Sequence, residues 1–196
     1  MFAVALQGMG DTPGWKGFGS VESPGPQGKT CQYDGSWGSS CESDCGSCTD
    51  ECWWTTCNDS VAQTLEVLEY AINNFCVDLE SIWGAGCSNG GMFLHELASD
   101  SRSASYFAGI APMVGLPHFG FNDGPTASMS YFGIWGVNDD VVPPEESADD
   151  SGVTVTDRAA ESNGWFYQTS ASVLEKWRSD MNCDAVTSMT PPADFS

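Results

Sequence analysis

The chain has 196 residues, 41% of them apolar and 12% aromatic, which is enough for one globular domain with a substantial core. It contains 27 acidic side chains and only 6 basic ones, and the resulting formal charge of -21 argues against nucleic acid or an anionic membrane as a partner. No apolar run approaches the roughly 18 residues of a membrane span. The acidic residues are spread along the chain, which favours a strongly solvated surface over an acidic binding tail.

The amino-terminal third predicts one strand and a long loop. Residues 1–6 predict a buried strand and lack the basic start and cleavage site of a signal peptide. A Gly-rich turn over residues 7–19 follows, and residues 20–57 predict a loop. That loop holds six of the nine cysteines, namely Cys31, Cys41, Cys45, Cys48, Cys52 and Cys57. Disulfides in a chain without a secretion signal lead us to expect a fragment of a longer protein.

The cysteines admit two interpretations. Their density among Gly, Ser, Asp and Trp favours a disulfide-stapled loop from an oxidising compartment, with the pairing left open because six cysteines allow 15 connectivities. Zinc is the alternative, since Cys45-x-x-Cys48 has the spacing of metal ligands but lacks a clear second pair. Trp53 and Trp54 in the same loop either stack on a substrate or cover the sheet.

The middle of the chain contains the motif that carries the chemistry. Apolar residues at helical spacing predict a helix from residue 59 to residue 75, capped by Asn58 or Asp59. Residues 81–85 predict a short buried strand, and residues 91–98 predict an amphipathic helix. Between them lies Gly86-Cys87-Ser88-Asn89-Gly90, a G-x-S-x-G sequence. A serine at a sharp turn between strand and helix is typical of a nucleophile elbow, although an ordinary helix N-cap serine is the alternative.

The remaining segments complete an alternating pattern. Residues 106–114 and 129–135 predict two further buried strands, residues 145–163 an acidic irregular stretch, and residues 164–180 a helix. Strands alternating with helices predict a mostly parallel sheet with helices on both faces. Catalytic residues in such sheets lie at the carboxyl ends of strands, which is where Ser88 and Asp139 are expected.

Several segments resemble one family. The heptapeptide Gly86-Cys87-Ser88-Asn89-Gly90-Gly91-Met92, the upstream Phe75-Cys76-Val77-Asp78 and the downstream Phe107-Ala108-Gly109-Ile110-Ala111-Pro112 are similar to secreted polyhydroxybutyrate depolymerases and feruloyl esterases. These α/β-hydrolases cleave carboxylic esters. The stretch from Gly136 to Pro143 matches the family's glycine-x-x-aspartate-x-x-valine-proline segment. The match implies Asp139 as the acid of the triad, with Asp140 the less favoured choice.

The resemblance implies a single α/β-hydrolase domain over residues 1–196 with a Cys-rich insertion at about 20–57. Ser88 is then the nucleophile, Asp139 orients a histidine, and the backbone N–H of Asn89 donates to the oxyanion. The implied substrate is a polysaccharide-linked phenolic ester or a polyester, with neither metal nor organic cofactor. The implied location is extracellular.

Two family segments have no counterpart in this sequence. These are the histidine-glycine strand of the oxyanion hole and the late glycine-histidine segment with the catalytic histidine, so we expect truncation at both ends and an inactive fragment. His95, about 10 Å from Ser88 along one helix, is expected to be structural, whereas His118 is a possible pocket residue. Cys87 is expected to be buried or disulfide-bonded, with a role in the pocket or as a second nucleophile less favoured.

Two rival functions follow from these gaps. One is a secreted, non-catalytic binding protein that retains the hydrolase fold. The other is a metal-stabilised Cys module on a degraded hydrolase.

Overall fold

The computed structural model describes residues 3–11, 13–22, 24–31, 42–46, 53–145, 159–162 and 164–184, with backbone alone for 159–162. Three helices and five strands lie in these ranges. In chain order they are α1 (Ser60–Asn74), β1 (Trp83–Cys87), α2 (Asn89–Ser99), β2 (Gly109–Met113), β3 (Ser130–Tyr131), β4 (Ala159–Ser162), β5 (Trp165–Gln168) and α3 (Ser170–Asp180). Single 3-10 turns lie at Ser43–Cys45 and Ala104–Tyr106.

The first three strands form a parallel sheet in the order β1-β2-β3. Trp83 pairs with Gly109 and Cys87 with Met113, so the carboxyl ends of β1 and β2 are level. Beyond the two residues of β3, Ile134 forms a further parallel bridge to Met113. The predicted parallel arrangement is confirmed for these strands, and their carboxyl ends form one edge of the sheet.

Helices cover one face of this sheet. A Cβ on Gly84 of β1 would lie 2.8 Å from Leu94 of α2, which shows how closely helix and strand approach. Ile110 of β2 is fully buried. The ring of Tyr131 in β3 lies 4.5 Å from that of Trp177 in α3. The core is therefore built between the sheet, α2 and α3, and Val61 of α1 also belongs to it.

The opposite face of the sheet differs from the prediction. The side chains of Trp83 and Phe132 are 52% and 60% exposed, and Met113 is also exposed. Within the described ranges helices therefore cover one face, whereas the sequence predicted both. For the same reason β1 is not the buried strand that was expected over residues 81–85. It lies at the edge of the sheet, and its alternate residues point away from α2.

Local signals account for α1 and α3. The side chain of Asp59 accepts a hydrogen bond from the Ala62 N–H and caps α1, as one of the two predicted cap residues. Thr169 caps α3 in the same way through the Ser172 N–H. The helix predicted over residues 164–180 therefore begins only at Ser170.

Two other predicted elements are wrong. Residues 3–6 form no strand, and Val4 is 51% exposed, because no described strand pairs with them. The second is the start of the helix predicted over residues 164–180, where the structure has β5, which pairs with β4 as an antiparallel hairpin. The run Trp165-Phe166-Tyr167 consists of residues that favour strands, and the pairing outweighs their helical spacing.

The disulfide prediction is confirmed at one bond. Cys45 is bonded to Cys57, and Cys31 is also disulfide-bonded. Cys45 is therefore not a thiolate and does not serve the alternative zinc site. Cys41, Cys48 and Cys52 lie outside the described residues. In the described part of the chain, no helix is both long enough and apolar enough to cross a bilayer.

Candidate active site

Ser88 lies at the turn between β1 and α2. Its backbone has φ 52° and ψ −123°, a conformation that costs a residue with a Cβ about 1–3 kcal/mol. The Ser88 N–H donates to the Met113 carbonyl at 2.9 Å and ties the turn to the end of β2. The side chain is exposed and does not cap α2. A strained, exposed serine that leaves its helix uncapped fits a nucleophile better than an N-cap residue.

The backbone around Ser88 is packed too closely for side chains at two glycines. A Cβ on Gly86 would lie 2.4 Å from the Gly90 carbonyl oxygen, and one on Gly115 would lie 2.5 Å from the Ser88 carbonyl oxygen. Val114 has φ 42° although it is β-branched, so strain lies on both sides of the turn. Strained backbone that is held by surrounding packing is typical of functional sites.

Asn89 begins α2 and contacts a distant loop. The Trp15 N–H donates to Asn89 Oδ1 at 2.6 Å, and Asn89 Nδ2 donates to the Trp15 carbonyl at 3.0 Å. The backbone N–H of Asn89 belongs to the first turn of the helix, whose amides have no acceptor within the helix. That N–H is therefore free of helical bonding and lies next to the serine.

Asp139 lies beyond β3 in the turn predicted for the acid. Its Oδ1 accepts hydrogen bonds from the N–H groups of Val141 and Val142, both at 2.9 Å. Burial, and to a lesser degree the charge of Asp139, raise the pKa of Tyr167. Asp139 follows Ile134, whose bridge to Met113 lies next to the Ser88 turn, so Asp139 and Ser88 leave the same edge of the sheet.

His118 lies inside the protein with both ring nitrogens bonded. Trp54 Nε1 donates to Nε2 at 3.0 Å, and Nδ1 lies 3.2 Å from the Phe166 carbonyl, which assigns the proton to Nδ1. The ring is stacked on Tyr167, with centroids 4.7 Å apart. Burial lowers the pKa of His118 to about 4, against the effect of the Phe166 hydrogen bond. No nitrogen of this ring is available to Ser88.

His95 is equally enclosed. Its side chain is 2% exposed, and Nε2 has no hydrogen-bond partner among the described residues. Burial lowers its pKa to about 4, opposed by a hydrogen bond to the Gly115 backbone. The ring packs against Tyr131 and Trp177. These contacts place His95, a residue of α2, in the core between β3 and α3.

Cys87 differs from the prediction of a buried or disulfide-bonded residue. Its thiol is free, and the side chain is exposed. The physical reason is that alternate side chains of β1 face away from α2, towards the face of the sheet that no described helix covers.

A cleft of about 560 Å³ lies apart from the serine. Lys16, Phe18, Glu22, Glu96 and Phe121 are among its lining residues, whereas Ser88 and Asp139 are not. Burial raises the pKa of Glu96 to about 7, opposed by the charge of Lys16 and helped by Glu22, Asp100 and Asp59. The cleft is therefore a place where one carboxyl group changes charge near neutral pH.

Replacing Glu96 by glutamine should stabilise the protein at pH 8 and have a much smaller effect at pH 5. The charged carboxylate is disfavoured in the fold, and the amide removes that cost, which we expect to reach about 1–2 kcal/mol after allowance for partial exposure. Urea unfolding of wild type and Glu96→Gln at both pH values measures the difference. Equal gains at pH 5 and pH 8 would contradict the assignment.

Two long-range contacts were not predicted from the sequence. Trp15 lies in the Gly-rich turn predicted over residues 7–19, and both its backbone groups bind Asn89. Trp54 is predicted either to stack on a substrate or to cover the sheet, and in the structure its Nε1 donates to His118 and its ring packs on Trp165. Trp15 and Asn89 lie 74 positions apart in the sequence, and Trp54 and His118 lie 64 positions apart. No local sequence pattern signals contacts between residues that are so far apart.

One comparison with known proteins bears on this site. Over 112 residues the chain is 32% identical to feruloyl esterase C of Emericella nidulans, a match that covers 57% of the chain and 38% of that protein. The chain thus spans less than two fifths of the length of this curated relative. No protein-family model and no solved structure matches the chain. The similarity indicates a relationship to ester hydrolases.

Proposed function

We propose that the chain carries the nucleophile of a serine carboxylic ester hydrolase with an α/β-hydrolase fold. The backbone of Ser88 is the observation that carries the proposal. An exposed serine at φ 52° and ψ −123° joins a parallel strand to a helix, as a nucleophile elbow requires. The relationship to a feruloyl esterase supports an ester as substrate.

The proposed reaction uses three groups of this chain. The Ser88 hydroxyl oxygen attacks the ester carbonyl carbon and passes its proton to a base. The Asn89 N–H donates to the carbonyl oxygen as it becomes negative, and the alcohol leaves with a proton. Water then attacks the acyl-serine and releases the acid. In this scheme Asp139, fixed by two backbone N–H groups through Oδ1, orients the base through its other oxygen.

Neither histidine of these 196 residues is placed to be that base. His95 and His118 are enclosed in the core, and both nitrogens of His118 have partners inside the protein. We propose that the base comes from outside this sequence and that the chain alone turns over esters poorly. Added imidazole supplies the missing group, because the space beside an exposed Ser88 is open to solvent.

The substrate class is proposed from the relative. Its name specifies a feruloyl ester, so we propose a phenolic ester and place the polyester second. Disulfides in the chain are compatible with an extracellular location, which we also propose.

The test is hydrolysis of methyl ferulate by the 196-residue chain with and without imidazole. We expect a rate that rises with imidazole in the wild-type chain and returns to the imidazole background in Ser88→Ala, a loss of at least about 100-fold. Liquid chromatography of released ferulate measures it, with a 3-hydroxybutyrate dimer ester as the polyester comparison.

Equal rates for the wild-type chain and Ser88→Ala would contradict the proposal. Tight binding of methyl ferulate without any Ser88-dependent rate would favour the binding protein instead. Faster turnover of the dimer ester than of methyl ferulate would reverse the order of substrates.

A further inference from the structure

We infer that the Asn89 side chain is a positioning residue that holds the loop over residues 13–17 against the nucleophile turn, an inference that rests on the ester hydrolase proposed above. The loop is distant in sequence and adjacent in space. Its backbone meets the amide of Asn89, while the Asn89 backbone lies next to Ser88. One residue therefore links the loop to the reacting atoms.

The link consists of two hydrogen bonds in opposite directions. Asn89 Oδ1 accepts from the Trp15 N–H at 2.6 Å, and Asn89 Nδ2 donates to the Trp15 carbonyl at 3.0 Å. Both bonds use the backbone of Trp15, so they do not depend on its ring. Only a side chain with a donor and an acceptor on one planar group forms such a pair, and alanine at residue 89 removes both bonds.

Further contacts hold the same loop along α2. The Trp15 ring stacks on Phe93 at a centroid distance of 5.0 Å and an angle of 6°. A Cβ on Gly17 would lie 3.3 Å from the Phe93 nitrogen. The Lys16 N–H donates to Ser60 Oγ at 3.1 Å, where α1 begins. The loop therefore packs against the first turns of two helices, and Asn89 is its contact nearest to Ser88.

The position of Asn89 gives its side chain a consequence for catalysis. Its own backbone N–H is the proposed oxyanion donor, and the strained Ser88 precedes it directly. Releasing the side chain frees residue 89 to shift together with both groups. A displacement of about 1 Å in a reacting group lowers turnover about 100-fold.

The experiment compares three variants of the 196-residue chain. Asn89→Ala removes the two bonds. Trp15→Phe keeps the backbone pair and an aromatic ring. Asn74→Ala removes a single exposed hydrogen bond, which the Asn74 side-chain amide donates to the Tyr70 carbonyl at the far end of α1. Each variant is measured by amide hydrogen exchange over residues 13–17 and by the imidazole-supported, Ser88-dependent hydrolysis of methyl ferulate. Urea unfolding confirms that each variant is folded under assay conditions.

For Asn89→Ala we expect exchange at the Trp15 amide to rise at least about tenfold and the Ser88-dependent rate to fall about 100-fold, with the fold retained. Trp15→Phe and Asn74→Ala should stay within about twofold to threefold of wild type in both measurements. The two readouts separate positioning from stability, because a merely structural role changes exchange and leaves the rate of the folded protein unchanged.

Unchanged exchange in Asn89→Ala would overturn the link between Asn89 and the loop. Faster exchange with an unchanged rate would overturn the positioning role. A wild-type chain without any Ser88-dependent rate would contradict the proposed function itself, which the Ser88→Ala comparison identifies separately, and would overturn the catalytic role inferred for Asn89.

Discussion

Replacing Gly86 by alanine should destabilise the protein by about 3 kcal/mol, the upper end of the usual range for inserting an atom into packed structure. The added Cβ would lie 2.4 Å from the Gly90 carbonyl oxygen and 2.6 Å from its carbonyl carbon. Both atoms belong to backbone in the first turn of α2, so neither moves aside as a flexible side chain does. Relief requires β1 and α2 to separate, and that separation displaces Ser88 between them.

Gly90→Ala is the matched control for this substitution. It adds the same methyl group four residues later in the same motif, where the nearest atom would be Trp15 Nε1 at 3.7 Å. That distance is an ordinary contact, and alanine favours a helix over glycine by about 1 kcal/mol. Gly90→Ala should therefore be neutral or stabilising.

Urea unfolding followed by tryptophan fluorescence, with disulfides intact, measures both variants. A loss for Gly86→Ala no larger than the change for Gly90→Ala would show that strand and helix are not in the contact described. A large loss in Gly86→Ala alone would locate the constraint at the strand side of the turn.

Local sequence patterns were sufficient to predict the secondary-structure elements nearest Ser88. The helix α1 begins where Asp59 caps it, and the strand, turn and helix around Ser88 follow from the glycines and apolar runs of that segment. Both signals act within a few residues of one another. For that reason the sequence predicted the turn at Ser88, with β1 shifted by two residues from the predicted 81–85 to the observed Trp83–Cys87.

Features that depend on distant partners were not predictable in the same way. Strand β5 takes the first residues of the helix predicted over 164–180, and beyond its neighbour β4 it also bonds to a distant segment, because the Phe166 N–H donates to the Thr30 carbonyl at 2.9 Å. The exposure of Cys87 depends on what covers that face of the sheet rather than on the residues of β1 itself. His118 is enclosed because Trp54, Phe166 and Tyr167 surround it, and its own neighbours in sequence carry no sign of them.

Lowering the pH from 7 to 4.5 should reduce the free energy of unfolding by about 3 kcal/mol or more. Burial lowers the pKa of both His95 and His118 from 6.5 to about 4. The unfolded chain therefore binds more protons than the folded chain between pH 6.5 and pH 4, so acid favours unfolding in this window. Each ring contributes about 3 kcal/mol over the whole window.

Glu96 acts in the opposite direction. Its pKa rises from 4.5 to about 7 in the fold, so the folded chain binds more protons between these pH values and acid favours folding there. The group is partly exposed, which reduces its contribution below that of one histidine. The two enclosed histidines therefore outweigh the one carboxyl group, and the free energy of unfolding decreases as the pH falls from 7 to 4.5.

Two variants separate these contributions. His95→Gln removes one titrating ring and should flatten the loss of stability between pH 7 and pH 4.5 by about half of the histidine contribution. Glu96→Gln removes the opposing group and should steepen the loss. Urea unfolding at intervals of half a pH unit gives the slope of the free energy of unfolding against pH for wild type and for each of the two variants. A His95→Gln slope equal to that of wild type would show that the ring is protonated as readily in the folded chain as in the unfolded one, which its burial in the core does not allow.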